Sequence, residues 1–300
     1  QFEAAERTWT QLADVRTVAD FNPVRLQSLY TQVSGSAVHE TGGLNRVPEL
    51  APYPHITVTG EESFYQKLSK SGARFSWSWE SNINDVAGFL EGIPQELINL
   101  ALDTEEREVH EALVNGTTQS LAGGTLPDGT VVKPNAKISP EAIWQAILEL
   151  QNVTVNGRKV GRASGYNVVV ARGTAEFVNW KLNQEILQIQ SGLITYGPGD
   201  RSALNGVTVV ESDYVTGDNW IVLPKPGAIR RPVLELLRLR GYEAPELRVE
   251  SAAGNYVGGG AVAPFEGSFD NDGLAMRIRM VAGGVMWSDK YSIKSNGTES

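Results

Sequence analysis

The spacing of apolar and polar residues changes along this chain, and each change marks an element. Over residues 74–80 the alternation is strict. Phe75, Trp77 and Trp79 point one way, while Arg74, Ser76, Ser78 and Glu80 point the other, which predicts a strand. Residues 55–59 and 62–68 are strand-like around Gly60, and 67–72 reads as a polar tip, so the stretch predicts a β-ribbon. Three aromatics on one strand face need a surface to cover them, either the core or another subunit. Residues 84–115 predict a long helix with Ile98, Leu102, Val109 and Leu113 on one face, Pro94 at a first helical position and Asn115-Gly116 as the stop. Asp103, Glu105, Glu106, Glu108 and Glu111 give it an acidic face, with Arg107 as the lone cation.

Residues 116–135, rich in Gly, Pro and Asp, predict turns or a hairpin. Alternating α and β follows. Ser139-Pro140-Glu141 is a cap, a first-turn proline and an early acid, opening a helix that runs to Leu150. Residues 167–171 predict a buried strand, and 174–190 an amphipathic helix with Val178, Leu182, Glu185, Ile186 and Ile189 on one side. Shorter strands are expected at 207–210 and 220–223, with further segments at 232–240 and 247–250 leading to Gly258-Gly259-Gly260. Last, Leu274, Met276, Ile278 and Met280 alternate with Ala275, Arg277, Arg279 and Val281, predicting a long strand over 274–287 with one basic face. By contrast, roughly the first 55 residues sustain no period. Pro23, Pro48, Pro52 and Pro54 forbid a long helix there, leaving a loose terminus or an extended arm ordered on neighbouring molecules.

Composition narrows the picture only modestly. The 300 residues, 41% hydrophobic and 20% charged, suffice for an ordered core and resemble no disordered chain. No apolar run approaches the ~20 residues of a membrane-spanning helix. The chain opens on Gln1, so a processing site or a trimmed start is expected there. Absence of cysteine removes disulfides, thiolate metal sites and cysteine nucleophiles. A net charge of −9 disfavours wrapping nucleic acid through phosphate contacts, though an acidic inner wall around nucleic acid is compatible with it.

Candidate chemistry is thin. His39-Glu40 and His110-Glu111 are the adjacent His–acid pairs, and the second lacks the histidine at i+4 that a helical zinc motif needs. His39, His55 and His110 lie far apart in sequence, so no metal site is assigned. Gly258-Gly259-Gly260 and Gly197-Pro198-Gly199 lack the Lys-Ser/Thr continuation of a phosphate loop. Asn115-Gly116-Thr117 and Asn296-Gly297-Thr298 match a glycosylation sequon but read as turns. The acids of the long helix read as a solvated or salt-bridged face rather than paired catalytic carboxylates. No residue is assigned a catalytic, cofactor-binding or metal-binding role, and no cofactor is expected.

Several short stretches taken in order carry a family resemblance. They are Val18-Ala19-Asp20-Phe21, Gly72-Ala73-Arg74-Phe75-Ser76, Asn82-Ile83-Asn84-Asp85, residues 90–94 at the helix start and 105–113 within it. Residues 229–232 with 239–245 look like an "RP…LxGYExP" stretch, and 269–279 with Gly283-Gly284 like a closing strand and turn. In this order they resemble the major capsid proteins of tailed bacteriophages, especially families near the Mu-like major head subunit. The resemblance implies an α+β, Hong Kong 97-type capsid fold. Its parts would be an N-terminal arm (1–54), an E-loop β-ribbon (55–84), a peripheral domain with the spine helix (85–138), an α/β axial domain (139–263) and a peripheral closing strand (264–300).

The same resemblance implies a non-enzymatic, self-assembling head subunit. Pentamers and hexamers would enclose double-stranded DNA without sequence-specific contacts or a membrane, within a virion put together in the bacterial cytoplasm. A scaffolding segment or protein, a portal, a head protease and a decoration protein are the implied partners. An encapsulin-type compartment shell shares the fold; a tail or adaptor protein and an unrecognised hydrolase are the other readings. Some relatives join Lys to Asn between subunits with help from a Glu, which makes Lys67 and Lys70 the implied donors and Asn296 a conceivable acceptor. On this reading Glu105, Glu106, Glu108 or Glu111 should meet Arg74, Arg277 or Arg279, across or within subunits. The face formed by Phe75, Trp77 and Trp79 should pack on a neighbour, so that Trp77→Ala would fold but assemble poorly.

Overall fold

The structure, a computed structural model, describes residues 7–27, 32–34, 45–55, 57–59, 63–85, 88–116, 118–155, 158–159, 163–183, 206–229, 232–250, 257–260, 272–287 and 289–298. A short helix α1 (Trp9–Leu12) buries Trp9 and Leu12 and leads into strand β1 (Asp14–Val18). Strands β2 (Val24–Gln27) and β3 (Gln32–Ser34) run out, and β4 (Thr57–Thr59) and β5 (Ser63–Gln66) return. Pairing is β2 with β5 and β3 with β4, both antiparallel. The ribbon is therefore built from residues 24–27 and 32–34 with 57–59 and 63–66, so the first two of these segments leave the expected arm and become half of the ribbon.

Strand β6 (Ser69–Ser78) begins within the expected polar tip. Residues 69–72 are strand, because each pairs with the strand closing the sheet. Trp79 does not continue the aromatic face: Ser78 caps a short helix, α2 (Trp79–Ile83), by accepting the Ser81 N–H at 3.2 Å. The long helix α3 (Phe89–Asn115) starts five residues before Pro94, since Asp85 Oδ2 accepts the Leu90 N–H at 2.7 Å. Pro94 thus lies inside the helix, at the cost of one i→i−4 bond near its start.

Beyond α3 come β7 (Gln119–Ser120) and a hairpin of β8 (Gly124–Thr125) and β9 (Val131–Val132). Helix α4 (Pro140–Gln151) has the expected cap, with Ser139 Oγ accepting the Ala142 N–H at 3.1 Å. A small hairpin, β10 (Thr154–Val155) with β11 (Arg158–Lys159), precedes β12 (Tyr166–Ala171) and α5 (Ala175–Asn183). The expected continuation of α5 to 190 lies outside the described residues. Strands β13 (Val207–Ser212), β14 (Trp220–Pro224), β15 (Leu234–Leu239), β16 (Glu246–Val249), β17 (Gly273–Met286) and β18 (Ile293–Ser295) complete the chain.

Two sheets organise these elements. In the first, β17 is bonded along one edge to β6 over residues 273–282. Its other edge carries β16 and then β15, which are one broken strand, and β1 adds parallel to β15. The second sheet has the order β13-β12-β14-β18-β7. The segmentation expected from sequence runs across both sheets. Residues 234–249 join β17, whereas 119–120 and 293–295 join the strands of the α/β body.

Helix α3 closes both sheets. Its buried stripe is Leu97, Ala101, Glu105, Val109 and Leu113, one position out of the expected face at its start and containing an acid. Steps of four residues drift by about 40° each on a 3.6-residue helix, so the stripe turns by roughly 160° along its length. Leu97 and Ala101 therefore face Met276, Ile278 and Met280 with Phe75 and Trp77. Val109 and Leu113 meet Leu234 and Leu236 from the first sheet and Val169, Val210, Ile221 and Leu223 from the second. The other face of the second sheet packs Val168, Val170, Trp220 and Val222 on Ile143, Ala146 and Leu150 of α4. Phe75 and Trp77 thus pack, partly buried, within the subunit.

Gly283-Gly284 is not a turn. It lies inside β17 where α3 crosses, and a Cβ on Gly284 would stand 1.9 Å from the Glu108 carbonyl oxygen. Gly284→Ala should therefore cost about 3 kcal/mol or more in denaturant unfolding, as overpacking against backbone does. Gly92, in α3 with nothing within 4 Å of its added Cβ, is the control. Gly92→Ala should stabilise by about 0.5–1 kcal/mol in the same measurement.

Candidate functional site

The polar residues of α3 converge on the start of the chain. Glu105, 1% exposed, receives a bidentate bond from Arg238 of β15, with Nε–Oε1 at 2.7 Å and Nη2–Oε2 at 2.8 Å. The Arg238 guanidinium also lies 5.3 Å from the Trp9 ring centroid. The next residue, Glu106, accepts the backbone N–H of Thr8 and of Trp9, each at 3.1 Å, and the Thr8 hydroxyl at 2.7 Å. Two α3 carboxylates therefore hold α1 in place.

Beside them, Glu106 Oε1 lies 2.8 Å from His110 Nε2, and His110 Nδ1 lies 2.8 Å from Ser212 Oγ. The order Ser–His–Glu mimics a nucleophile triad, but the geometry serves as a clasp. Ser212 and His110 are 3% and 1% exposed, and Ser212 Oγ also accepts the Tyr214 N–H at 3.2 Å. With both sides of the hydroxyl engaged, it ties β13 of the second sheet to α3. The Tyr214 ring stacks on His110 at 5.5 Å.

Within the subunit these contacts replace the expected ion pairs. Glu105 meets Arg238 and Glu106 meets His110, while Glu108 and Glu111 meet Arg107 on the helix surface. Arg74 instead meets Glu250 at 2.8 Å, and Arg279 meets Glu246, which Arg248 shares. The reason is position: the α3 acids lie on the other side of the sheet from Arg74, Arg277 and Arg279. Spacing could have flagged Glu105, which sits four residues from both Ala101 and Val109. Nothing local pointed to Thr8, Ser212 or Arg238, which arrive from remote segments.

Other singled-out residues are scattered. His55 is exposed in a loop, and His39 and Gly197-Pro198-Gly199 lie outside the described residues. No metal-binding cluster occurs among the described residues. Gly258-Gly259-Gly260 carries three successive positive φ angles, 120°, 101° and 107°, a conformation that only glycine adopts readily. Asn296 Oδ1 accepts the N–H and hydroxyl of Thr298, closing a turn after β18. Lys67 and Lys70 are exposed, the second opposite Val281 in the first sheet.

Glu235 of β15 is the other buried acid. Asp14 of β1 lies directly opposite it in the ladder, Trp287 Nε1 donates to it at 2.5 Å, and Arg16 stands 3.9 Å away. Burial pushes its carboxyl above the usual range, and the Trp287 bond and Arg16 only partly counter this. Glu106 behaves oppositely. Burial pushes it up, but the bonds from His110, Thr8 and Trp9 outweigh that and hold it at about 2.

The family model described as phage capsid protein matches residues 61–294. Among solved structures, the capsid of cyanophage P-SCSP1u is similar at 13% identity and a TM-score of 0.53, covering 98% of this chain and 89% of that one. The holo-SrpI encapsulin complex from Synechococcus elongatus PCC 7942 is similar at 10% identity and 0.55, covering 99% and 89%. The head of Helicobacter pylori bacteriophage KHP40 gives 10% and 0.51, covering 95% and 86%. No curated protein sequence matches.

The two acids give opposite pH responses. Glu106 stabilises the fold above the ordinary carboxylate pKa of 4.5, and this contribution is lost as pH falls from there towards about 2. Glu106→Gln should cost about 1–3 kcal/mol at pH 7 and flatten the acid limb of a thermal-stability profile. A raised carboxyl such as Glu235 costs stability as pH rises through its folded pKa. Glu235→Gln should therefore raise Tm at pH 8 and leave it nearly unchanged at pH 4, as scanning calorimetry would show.

Proposed function

The chain belongs to the phage capsid protein family and has the Hong Kong 97-type fold, and from that premise we propose how this structural head subunit builds its shell. As a capsid component of the virion it assembles with copies of itself and works by geometry rather than catalysis. We read the first sheet with α3 as the peripheral domain and the second sheet with α4 and α5 as the axial domain. Residues 24–66 are then the E-loop, and the arm is the segment before it, held by the clasp on α3.

One observation carries this reading. The β2–β5 and β3–β4 pairs belong to neither main sheet. A lone two-stranded ribbon is marginal in water, so this one takes its stability from a surface on another copy. Tyr65, 60% exposed at the ribbon's base, offers an aromatic anchor for that contact. Closed symmetry then multiplies modest contacts into a stable shell of pentamers and hexamers. Such a shell encloses double-stranded DNA without base-specific contacts, in keeping with the net charge of −9. It takes a portal, a scaffolding segment or protein, a head protease and a decoration protein as partners, and forms in the host cytoplasm. Among the described residues no helix is long and apolar enough to cross a membrane.

Cryo-electron microscopy of the purified protein tests this: closed icosahedral particles are expected, and tubes, rings or monomers alone would overturn it. Replacing residues 28–62 by a short Gly-Ser turn should leave the melting transition of the subunit intact and abolish closed particles. Trp77→Ala should act differently. Because Trp77 packs under α3, the mutant should lose about 2–4 kcal/mol in the isolated subunit.

A further inference from the structure

The outer face of the first sheet, opposite α3, holds a row of like charges. Arg74, Arg277 and Arg248 are directly opposite one another across β6, β17 and β16. In-register cations on one sheet face repel, so the isolated subunit is less stable for having them. They line one trough of about 740 Å³ together with Lys70, Arg279 and Glu250. Glu246, opposite Arg279 on the same face, brings its acids to two against five cations. Arg277, at the centre of the row, is exposed and has no ion-pair partner among the described residues. At one end, past Lys70 and Arg279, which line both, the trough runs into a hollow formed with Phe21, Leu239, Tyr242 and Val281.

We propose that this arginine row is a docking site for a carboxylate-bearing surface of a second copy of this chain, with Arg277 as its central contact. The inference rests on the shell-subunit reading and adds the chemistry of one contact. Charge complementarity selects the occupant: the trough is positive while the whole chain carries −9, so each copy presents what the other's trough lacks. Arginine forks suit carboxylates, which they bind by two parallel hydrogen bonds. A nucleic-acid strand fits less well. Glu250 stands inside the trough with Glu246 on the same sheet face, and four of the six side chains of the adjoining hollow are apolar or aromatic, whereas a phosphate track is cationic throughout.

The test uses assembled particles of the full chain, made from a mixture of heavy- and light-nitrogen subunits. A carbodiimide that joins amines to carboxylates without a spacer is applied, and peptides containing Lys70 are sequenced by mass spectrometry. Mixed-isotope links from Lys70 to an Asp or Glu are expected. Arg277→Glu should lower the yield of closed particles by about tenfold or more, while Lys137→Glu, outside the trough, should not. Before assembly Arg277→Glu should melt at or above the wild type, since it relieves the like-charge row, and Lys137→Glu close to it. Arg277→Gln should retain assembly in part and lose most of its salt dependence. Links from Lys70 confined to its own chain, or normal particles from Arg277→Glu, would overturn the proposal while leaving the shell reading intact. So would ultraviolet cross-linking of the trough peptides to packaged nucleic acid. Failure of the wild type to form particles would instead overturn the shell reading.

Discussion

Everything in this subunit depends on one long helix crossing one long strand at backbone contact. At Gly284 the strand offers no side chain, so α3 settles onto β17 with the Glu108 carbonyl where a Cβ would be. Close approach brings Leu97 and Ala101 onto Met276 and Ile278, and lets the turning stripe reach the second sheet through Val109 and Leu113. Glu105 occupies the middle of that stripe. A buried carboxylate is costly unless paired, and sliding the helix by a turn would strip it of Arg238 and leave two charges unmet. The pair thus penalises wrong registers that an all-apolar seam would tolerate.

The same seam fixes the arm. Glu106 follows Glu105 in sequence, so seating one carboxylate against Arg238 aims the next at the backbone of Thr8 and Trp9. Through His110 and Ser212 the clasp extends into β13, and three remote parts of the chain share one hydrogen-bonded cluster. Held there, the arm lays β1 on the edge of β15 and covers a strand that would otherwise be open to pairing.

Much of this was legible from local pattern, and the failures share a cause. Alternation located β6 and β17, and the Ser139-Pro140-Glu141 signal located the start of α4, because each reports a burial period or a cap within a few residues. Periodicity cannot say which partner covers a face. Phe75 and Trp77 were expected to face a neighbour, yet they pack, partly buried, in the cluster under α3. The acids of α3 read as a solvated or salt-bridged face; Glu105 is salt-bridged but also among the most buried residues on the helix, because Arg238 arrives 133 positions later. The ribbon was misplaced for the same reason: β2 and β3 are short, and only their pairing with β5 and β4 reveals them. Family resemblance supplied the architecture, and tertiary pairing supplied the contacts.

Two kinds of polar group therefore divide the labour. Inside, Glu105, Glu106 and His110 are fully partnered and specify one packing of the subunit. Outside, the Arg74–Arg277–Arg248 row and the lone ribbon are each a cost to the single subunit. A protein selected only for the stability of its monomer would lose such features, since any neutral substitution at Arg277 removes repulsion at once. Their presence fits a chain whose final state is an assembly, where the folding seam is complete by itself and the remaining unsatisfied surface is left for other copies.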